Sequence, residues 1–303
     1  MKKLLVIGGS GLVGSTLIKY GVRNFNTYST YNTNKISSSN SEEFYVNLLE
    51  DRSAIINLIE KIKPNVVVHT AAHSSVDLCE TDHKLADTLH VEVTKDIASI
   101  CKKIESKLLY LSTDWVFEGH KDKKYTEKDL PNPVNHYGRT KLQAEEIILN
   151  SCSNNVILRT AVIYGWHVKS RFTNWILSYL MQEKNVDPFT DQYGTPTLVD
   201  DLSQAIIKII EKDVSGLYHA AGNTCLNRYE FALELAENFN LKKSLIKPVT
   251  ELEKKQDAPR PSSTCLDSQK LEKLLDFNFC NIQDGVKFLY ESYKNNPSLL
   301  SIS

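Results

Sequence analysis

Tyr137 and Lys141 lie four residues apart in the string Tyr137-Gly138-Arg139-Thr140-Lys141. On a helix this spacing puts a phenol and an ammonium on one face. A free phenol ionises near pH 10, and a neighbouring cation favours the phenolate and pulls that value down. A tyrosine tuned in this way can act as general acid toward a carbonyl, or as general base toward an alcohol. Thr113 closes the apolar run 108–112, where its hydroxyl can donate to an oxygen on which negative charge develops. Pro131 and Pro133 stop any upstream helix and Asn135 can cap a new one, so Tyr137 is expected at a helix start facing the strand ends.

The second chemical feature is Gly8-Gly9-Ser10-Gly11-Leu12-Val13-Gly14, which directly follows the apolar run 3–7 and opens the helical pattern 12–20. In that setting Gly8 permits a tight turn, Gly11 lets backbone approach a pyrophosphate, and Gly14 lets helix and strand pack closely. Phosphates would meet free N–H groups and the positive end of the helix dipole, with Ser10, Leu12 and Val13 beside them. The pair of features predicts a nicotinamide cofactor, whose ribose Lys141 can also hold. The second strand ends in Tyr28-Ser29-Thr30-Tyr31-Asn32 with Lys35 just beyond. No carboxylate stands there to repel a 2′-phosphate, so Tyr31 and Lys35 point to NADPH, with NADH as the alternative.

The elements that must position these residues alternate. Strand-like runs at 3–7, 27–31, 65–69, 107–112 and 155–159 are separated by helical patterns at 12–20, 52–61, 85–104 and 140–150. This order predicts an α/β fold, a Rossmann-type doubly wound parallel sheet with a smaller C-terminal substrate domain. Residues 1–164 are assigned to the cofactor-binding domain, with 196–222 returning to it. Residues 165–195 and 223–303 are assigned to the smaller one. Helices are expected at 172–182, 229–239 and 268–275 in the smaller part, and a helix at 201–211 and a short strand at 216–220 in the returning segment. The run 37–41 is expected to be a polar loop.

Composition narrows the class. The 303 residues carry 36 Lys plus Arg against 37 Asp plus Glu, a net charge of −1 that gives no reason to expect nucleic acid. No apolar stretch approaches the roughly 20 residues of a bilayer span. The run after Met1-Lys2-Lys3 is too short for a secretion signal and breaks into Gly8-Gly9. A cytoplasmic protein without a membrane partner is expected. The six cysteines form no CxxC pair, so they are expected to stay reduced as small apolar fillers. His69 and His73 straddle a strand end and suggest no metal site.

These residues, with Ser112-Thr113-Asp114-Trp115-Val116-Phe117-Glu118-Gly119, Tyr125-Thr126-Glu127, Pro131-Asn132-Pro133, Arg159-Thr160 with Tyr164-Gly165, Asp191-Gln192-Tyr193-Gly194-Thr195-Pro196-Thr197, Ala258-Pro259-Arg260-Pro261 and Leu266-Asp267, closely resemble the dTDP-4-dehydrorhamnose reductase branch of the extended short-chain dehydrogenase/reductase family. The resemblance covers nearly the whole chain. It implies a reductase that carries hydride from NAD(P)H to C4 of a nucleotide-linked 4-keto-6-deoxyhexose, as in the conversion of dTDP-4-dehydro-L-rhamnose to dTDP-L-rhamnose. Thr113, Tyr137 and Lys141 match the family's triad. Ala71 and Ala72 match a segment that lines the cofactor, as do Ser112 and Arg159 near the nicotinamide end. Asp114, Val116, Val162, Gln192, Pro196 and Arg260 match segments near the sugar nucleotide. A homodimer is implied as well.

Two departures from the branch stand out. Ala161-Val162-Ile163 replaces a segment that often holds an aromatic, which bears on the choice of sugar. His90 stands where an asparagine is usual, as a proton-relay variation or as a structural histidine. Two other readings share much of the pattern. The regulatory subunit of methionine adenosyltransferase is similar in the same segments and would bind NADP(H) and a protein partner. A sugar-nucleotide epimerase of the wider family would retain its cofactor through each cycle.

Overall fold

The computed structural model describes residues 1–35, 41–120 and 122–297. The expected loop at 37–41 therefore lies outside the described residues except for Ser41. The first half runs β1 (Lys3–Ile7), α1 (Leu12–Gly21), β2 (Asn26–Tyr31), β3 (Glu42–Tyr45), α2 (Arg52–Ile62), β4 (Val66–His69), α3 (Val76–Thr81) and α4 (His83–Ala86). A π-helical segment, Asp87–Glu92, leads into α5 (Val93–Lys103), β5 (Lys107–Thr113), a 3-10 turn at Asp114–Val116, α6 (His136–Ser151) and β6 (Val156–Thr160). Then come β7 (Ile163–Tyr164), α7 (Arg171–Met181), β8 (Tyr193–Gly194), β9 (Thr197–Leu198), α8 (Val199–Glu211), β10 (Gly216–His219), β11 (Leu226–Asn227), α9 (Arg228–Asn238), α10 (Gln269–Leu275) and α11 (Ile282–Asn295).

Seven strands form one parallel sheet in the order β10-β6-β5-β4-β1-β2-β3. Its central strands are apolar on both faces because helices cover both; Leu4, Leu5, Val6 and Ile7 are fully buried. Leu17 and Ile18 of α1 pack with Leu202, Ile206 and Ile209 of α8 on one face. Ile55 and Ile59 of α2, Val93 and Ile97 of α5, and Ala144 and Ile148 of α6 cover the other. The α/β doubly wound expectation is met. Strand order reverses between β1 and β4, so the turns leaving these two strands diverge and open a crevice at the carboxyl ends, where such sheets bind ligands.

A second core lies beyond β6. There α7, α9 and α11 bury Ile176, Leu177, Phe231, Leu235, Val286 and Leu289 together. Asn227 and Glu230 form a reciprocal capping box at the start of α9.

The structure departs from the sequence reading in several places. The helix expected at 85–104 is divided by the π-helical turn, whose wider ring accommodates the buried His90. The edge strand β3, the short α3 and α11 were not anticipated. Cys225 and Cys265 form a disulfide with Cα atoms 5.6 Å apart, correcting the expectation of six thiols. The reason is tertiary: Tyr193–Gly194 pairs with β11, and Tyr193 also bridges to Ser263, which draws two distant segments together. Cys79, Cys101, Cys152 and Cys280 are free. Among the described residues no helix is long and apolar enough to cross a membrane, and no cluster of side chains suits a metal ion.

Candidate functional site

A cavity of about 890 Å³ opens at the crevice between the β1 and β4 turns and continues under α7 and α9. Its wall contains Gly8, Ser10, Gly11, Leu12, Val13, Tyr31, Ala71, Ala72, Ser112, Thr113, Asp114, Tyr137, Lys141, Val162, Gln192 and Arg260. Segments far apart in sequence are thus gathered around one space. Gly14, Lys35, Val116 and Pro196 are absent from that wall.

Each of these four has a physical reason to be elsewhere. Gly14 lies behind the turn, so close to Gly8 that a Cβ would run into its carbonyl; it shapes the turn without facing the cavity. Lys35 is exposed, four residues past the end of β2, and Asn32 and Thr33 take the wall position instead. Val116 is fully buried in a small core with Phe117, Tyr125 and Leu266. Pro196 is buried in the chain leading to β9.

The glycine turn has the features of an anion cradle. Gly8 adopts φ 87°, and Gly11 caps α1 with no side-chain acceptor. The first turn of α1 also lacks an acidic residue, so its N–H groups and dipole face the cavity uncompensated. Ser112 Oγ and Thr160 Oγ1, both on residues of the wall, are buried without a hydrogen-bond partner among the described residues. A backbone cradle at one end and unpaired hydroxyls deeper in fit a dinucleotide with polar edges.

Tyr137 enters on the first turn of α6, where Asn135 accepts from Gly138 N at 2.8 Å and fixes the helix start. Gly138 lets that turn sit against the 3-10 turn after β5. A Cβ there would press on the Trp115 carbonyl and lie 2.8 Å from Pro133 Cβ. This close approach sets Tyr137 beside Thr113. We expect Gly138→Ala to destabilise the fold by about 1–3 kcal/mol through overpacking. A denaturation midpoint equal to wild type would contradict it.

Burial pushes the Tyr137 phenol well up from its ordinary value, and the Thr113 hydroxyl pulls only partly the other way. This reverses the expectation that Lys141 would draw it down. Lys141 Nζ donates to the Leu111 carbonyl at 2.6 Å and sits 4.0 Å above the centre of the Tyr110 ring. Burial lowers the ammonium to about 7, against the opposing pull of Glu145 one turn further on. Tyr137 is therefore a neutral, protonated phenol at ordinary pH; burial makes it a weaker acid, able to give its proton only to a strongly basic oxygen such as a developing alkoxide.

Asp114 is buried and raised to about 6, chiefly by desolvation; it accepts from Thr113 Oγ1 at 3.1 Å and also from Thr264 Oγ1. Val162 adopts φ 44°, a left-handed conformation unusual for a β-branched residue. This strain lies in the cavity wall.

His90 behaves as a strut. Its Nε2 accepts from His73 N at 3.1 Å, which leaves Nδ1 protonated to donate to Thr140 Oγ1 at 2.9 Å. Thr140 in turn donates to the Tyr137 carbonyl at 2.9 Å. Burial lowers His90 to about 2, so it stays neutral. Arg159, expected near the nicotinamide end, is instead 3% exposed and tied to Glu145 by hydrogen bonds of 2.9 and 2.6 Å. The sheet buries it below the cavity because β6 carries its side chain toward α6.

Sequence reasoning missed other wall residues, chiefly Arg228, Phe172, Trp175 and Phe189. They come from helices and turns of the second core, and no local motif marks them. Arg228 sits one residue before the helical pattern recognised at 229–239.

The model of the RmlD substrate binding domain family matches residues 1–295. Methionine adenosyltransferase 2 subunit beta from Xenopus tropicalis is 33% identical over 282 residues, covering 90% of this chain and 82% of that protein. The dTDP-4-dehydrorhamnose reductase of Aggregatibacter actinomycetemcomitans is 29% identical over 301 residues, covering 95% and 98%. The crystal structure of a hypothetical dTDP-4-dehydrorhamnose reductase from Sulfolobus tokodaii superposes with a TM-score of 0.84 at 31% identity, covering 93% of this chain and 98% of that one. The chain belongs to the dTDP-4-dehydrorhamnose reductase (RmlD-like) branch of the extended short-chain dehydrogenase/reductase family.

Proposed function

We propose that this protein is an NADPH-dependent reductase of a nucleotide-linked 4-keto-6-deoxy sugar, with dTDP-4-dehydro-L-rhamnose as the favoured substrate. The observation that carries this reading is the single cavity that holds the glycine turn, Thr113, Tyr137 and Lys141 together. NADPH, when bound, supplies the hydride for the sugar carbonyl. Ser10, Gly11, Leu12 and Val13 would hold its pyrophosphate, with Ala71, Ala72 and Ser112 along its length. Residues 165–195 and 223–303 are taken as the part that holds the sugar nucleotide.

In this mechanism Tyr137 donates its phenolic proton to the substrate's C4 oxygen as that oxygen becomes an alkoxide. Thr113, turning its hydroxyl proton from Asp114, hydrogen-bonds the same oxygen, and Trp115 and Val162 help exclude water. Lys141 orients the cofactor ribose and adds positive charge near the developing alkoxide. A buried phenol held protonated suits reduction better than the reverse oxidation, which needs a base.

Lys141 also sets the pH dependence. Its value in the free protein is depressed to about 7, so the cation is present below that pH and lost as pH rises through it. We expect kcat/KM for reduction to fall above about pH 7, a limb belonging to the free enzyme. A flat profile from about pH 5.5 to about pH 9 would remove Lys141 from that role. The function itself is tested by NADPH oxidation with dTDP-4-dehydro-L-rhamnose, repeated with NADH. No turnover with either cofactor would reject it.

A second reading has a specific basis. The 33% identity to methionine adenosyltransferase 2 subunit beta favours a regulatory protein that binds NADP(H) and an enzyme partner. Co-purification with a methionine adenosyltransferase catalytic subunit, without reductase turnover, would establish that reading instead.

A further inference from the structure

The cavity wall contains two arginines outside the glycine turn that are buried enough to matter, Arg228 and Arg260, and their situations differ. Arg260 has its donors engaged by protein. Nη2 pairs with Asp77 at 2.7 Å, and Nη1 donates to the Ala258 carbonyl at 3.0 Å. Gln256, with its amide oxygen turned toward the guanidinium, accepts from Nη2 and Nε at 3.1 and 3.2 Å. The group also stacks over Trp115, 5.2 Å from the ring centre. Arg260 therefore braces the wall, holding Asp77 and Trp115 in place.

Arg228 is the opposite case. Among the described residues its guanidinium makes no hydrogen bond and no ion pair. Its close neighbours are the Phe172 ring, 5.8 Å from the guanidinium carbon, and the charges of Asp114 and Arg260. Asp114 acts on it only as a nearby charge: its two oxygens accept from Thr113 and Thr264, and no hydrogen bond or ion pair joins it to Arg228. Arg228 occupies the first position of α9, whose start is fixed by the Asn227–Glu230 capping box, so the side chain is carried on a rigid base. Five planar donors, partly desolvated, facing a cavity and lacking a protein acceptor, are matched by a ligand with several anionic oxygens. Phe172 packs beside Trp175, and the Phe189 carbonyl accepts from Tyr229 N next to Arg228; the three rings line the cavity and provide flat apolar surface for a base.

We propose that Arg228 binds the diphosphate of the sugar nucleotide and is the principal cationic contact for it, while Arg260 is a positioning residue. The proposal rests on the sugar-nucleotide reading above and names the residue that would discriminate a nucleoside diphosphate from an uncharged nucleoside. A fork-shaped, delocalised cation matches diphosphate oxygens in pairs, which a lysine's single ammonium cannot do.

The test is calorimetric titration of the NADP-loaded protein with dTDP, UDP and thymidine, for wild type, Arg228→Gln and Arg228→Lys. Arg228→Gln should weaken binding of the better diphosphate by about 10- to 100-fold, as expected for loss of charge-assisted hydrogen bonds, and leave thymidine unchanged. Arg228→Lys should fall between the two. Affinity of the wild type for the diphosphate should decline with added salt more steeply than that of Arg228→Gln. NADPH affinity and melting temperature serve as controls for folding; if Arg228→Gln fails them, the lysine variant and the wild-type salt dependence carry the decision. Equal diphosphate affinity in wild type and variants, or no salt dependence, would overturn the assignment while leaving the reductase reading intact. A wild type that binds NADPH but neither diphosphate would reject the sugar-nucleotide reading, and this assignment with it.

Discussion

Tyr137→Phe is expected to cut the turnover of the proposed reduction by about 10²- to 10⁴-fold, the usual contribution of a positioned general acid. NADPH affinity should stay nearly unchanged. The argument rests on what the substitution removes. The ring packs edge-to-face on His90 at 5.6 Å and on Trp115 at 6.1 Å, and phenylalanine preserves both contacts. The backbone position is set separately by Asn135, Thr140 and the close approach at Gly138. Only the hydroxyl is lost, and with it the proton that burial keeps on the oxygen. Stopped-flow measurement of NADPH oxidation, beside fluorescence titration of NADPH, separates chemistry from binding. Turnover near the wild-type rate would show that another group protonates the substrate.

Arg159→Met should produce the largest loss of stability, about 3–5 kcal/mol, because it leaves the Glu145 carboxylate buried without its counter-charge. Both side chains are almost fully enclosed, at 4% and 1% exposure, and they meet through paired hydrogen bonds. The guanidinium also lies 5.1 Å from the centre of the Phe117 ring. The double variant Arg159→Met/Glu145→Leu should recover most of the loss, since removing both charges also removes their desolvation. By comparison, the exposed pair Lys242–Glu183 should contribute no more than about 1 kcal/mol. Urea denaturation of the four proteins forms the required cycle. A single variant as stable as wild type would mean that Glu145 finds another partner or takes up a proton.

The sheet was legible because its evidence is local. Apolar runs such as Leu4–Ile7 and Val66–Val68 can only be strands buried on both faces, and a glycine-rich turn after the first of them has one common use. The fit of Tyr137 and Lys141 to one helix face was legible for the same reason: period and capping are properties of neighbouring residues. The π-helical turn was not legible, because it depends on how His90 packs against Thr140 and His73 on other elements. Nor was the direction of the Tyr137 shift. A rule based on spacing supplies the ammonium, but desolvation depends on everything packed around the ring, and here it outweighs the charge.

The sequence by itself determined the family, the parallel α/β architecture and the three residues proposed for chemistry, since these are written in motifs a few residues long. The tertiary structure alone decided which charged groups are available to a ligand. It buries Arg159 against Glu145, commits Arg260 to Asp77, moves Lys35 off the cavity wall and leaves Arg228 facing the cavity with no hydrogen-bond or ion-pair partner among the described residues. Motifs record residue types in order, whereas availability depends on which acceptors the fold brings within hydrogen-bonding distance, and those come from segments far away in the chain.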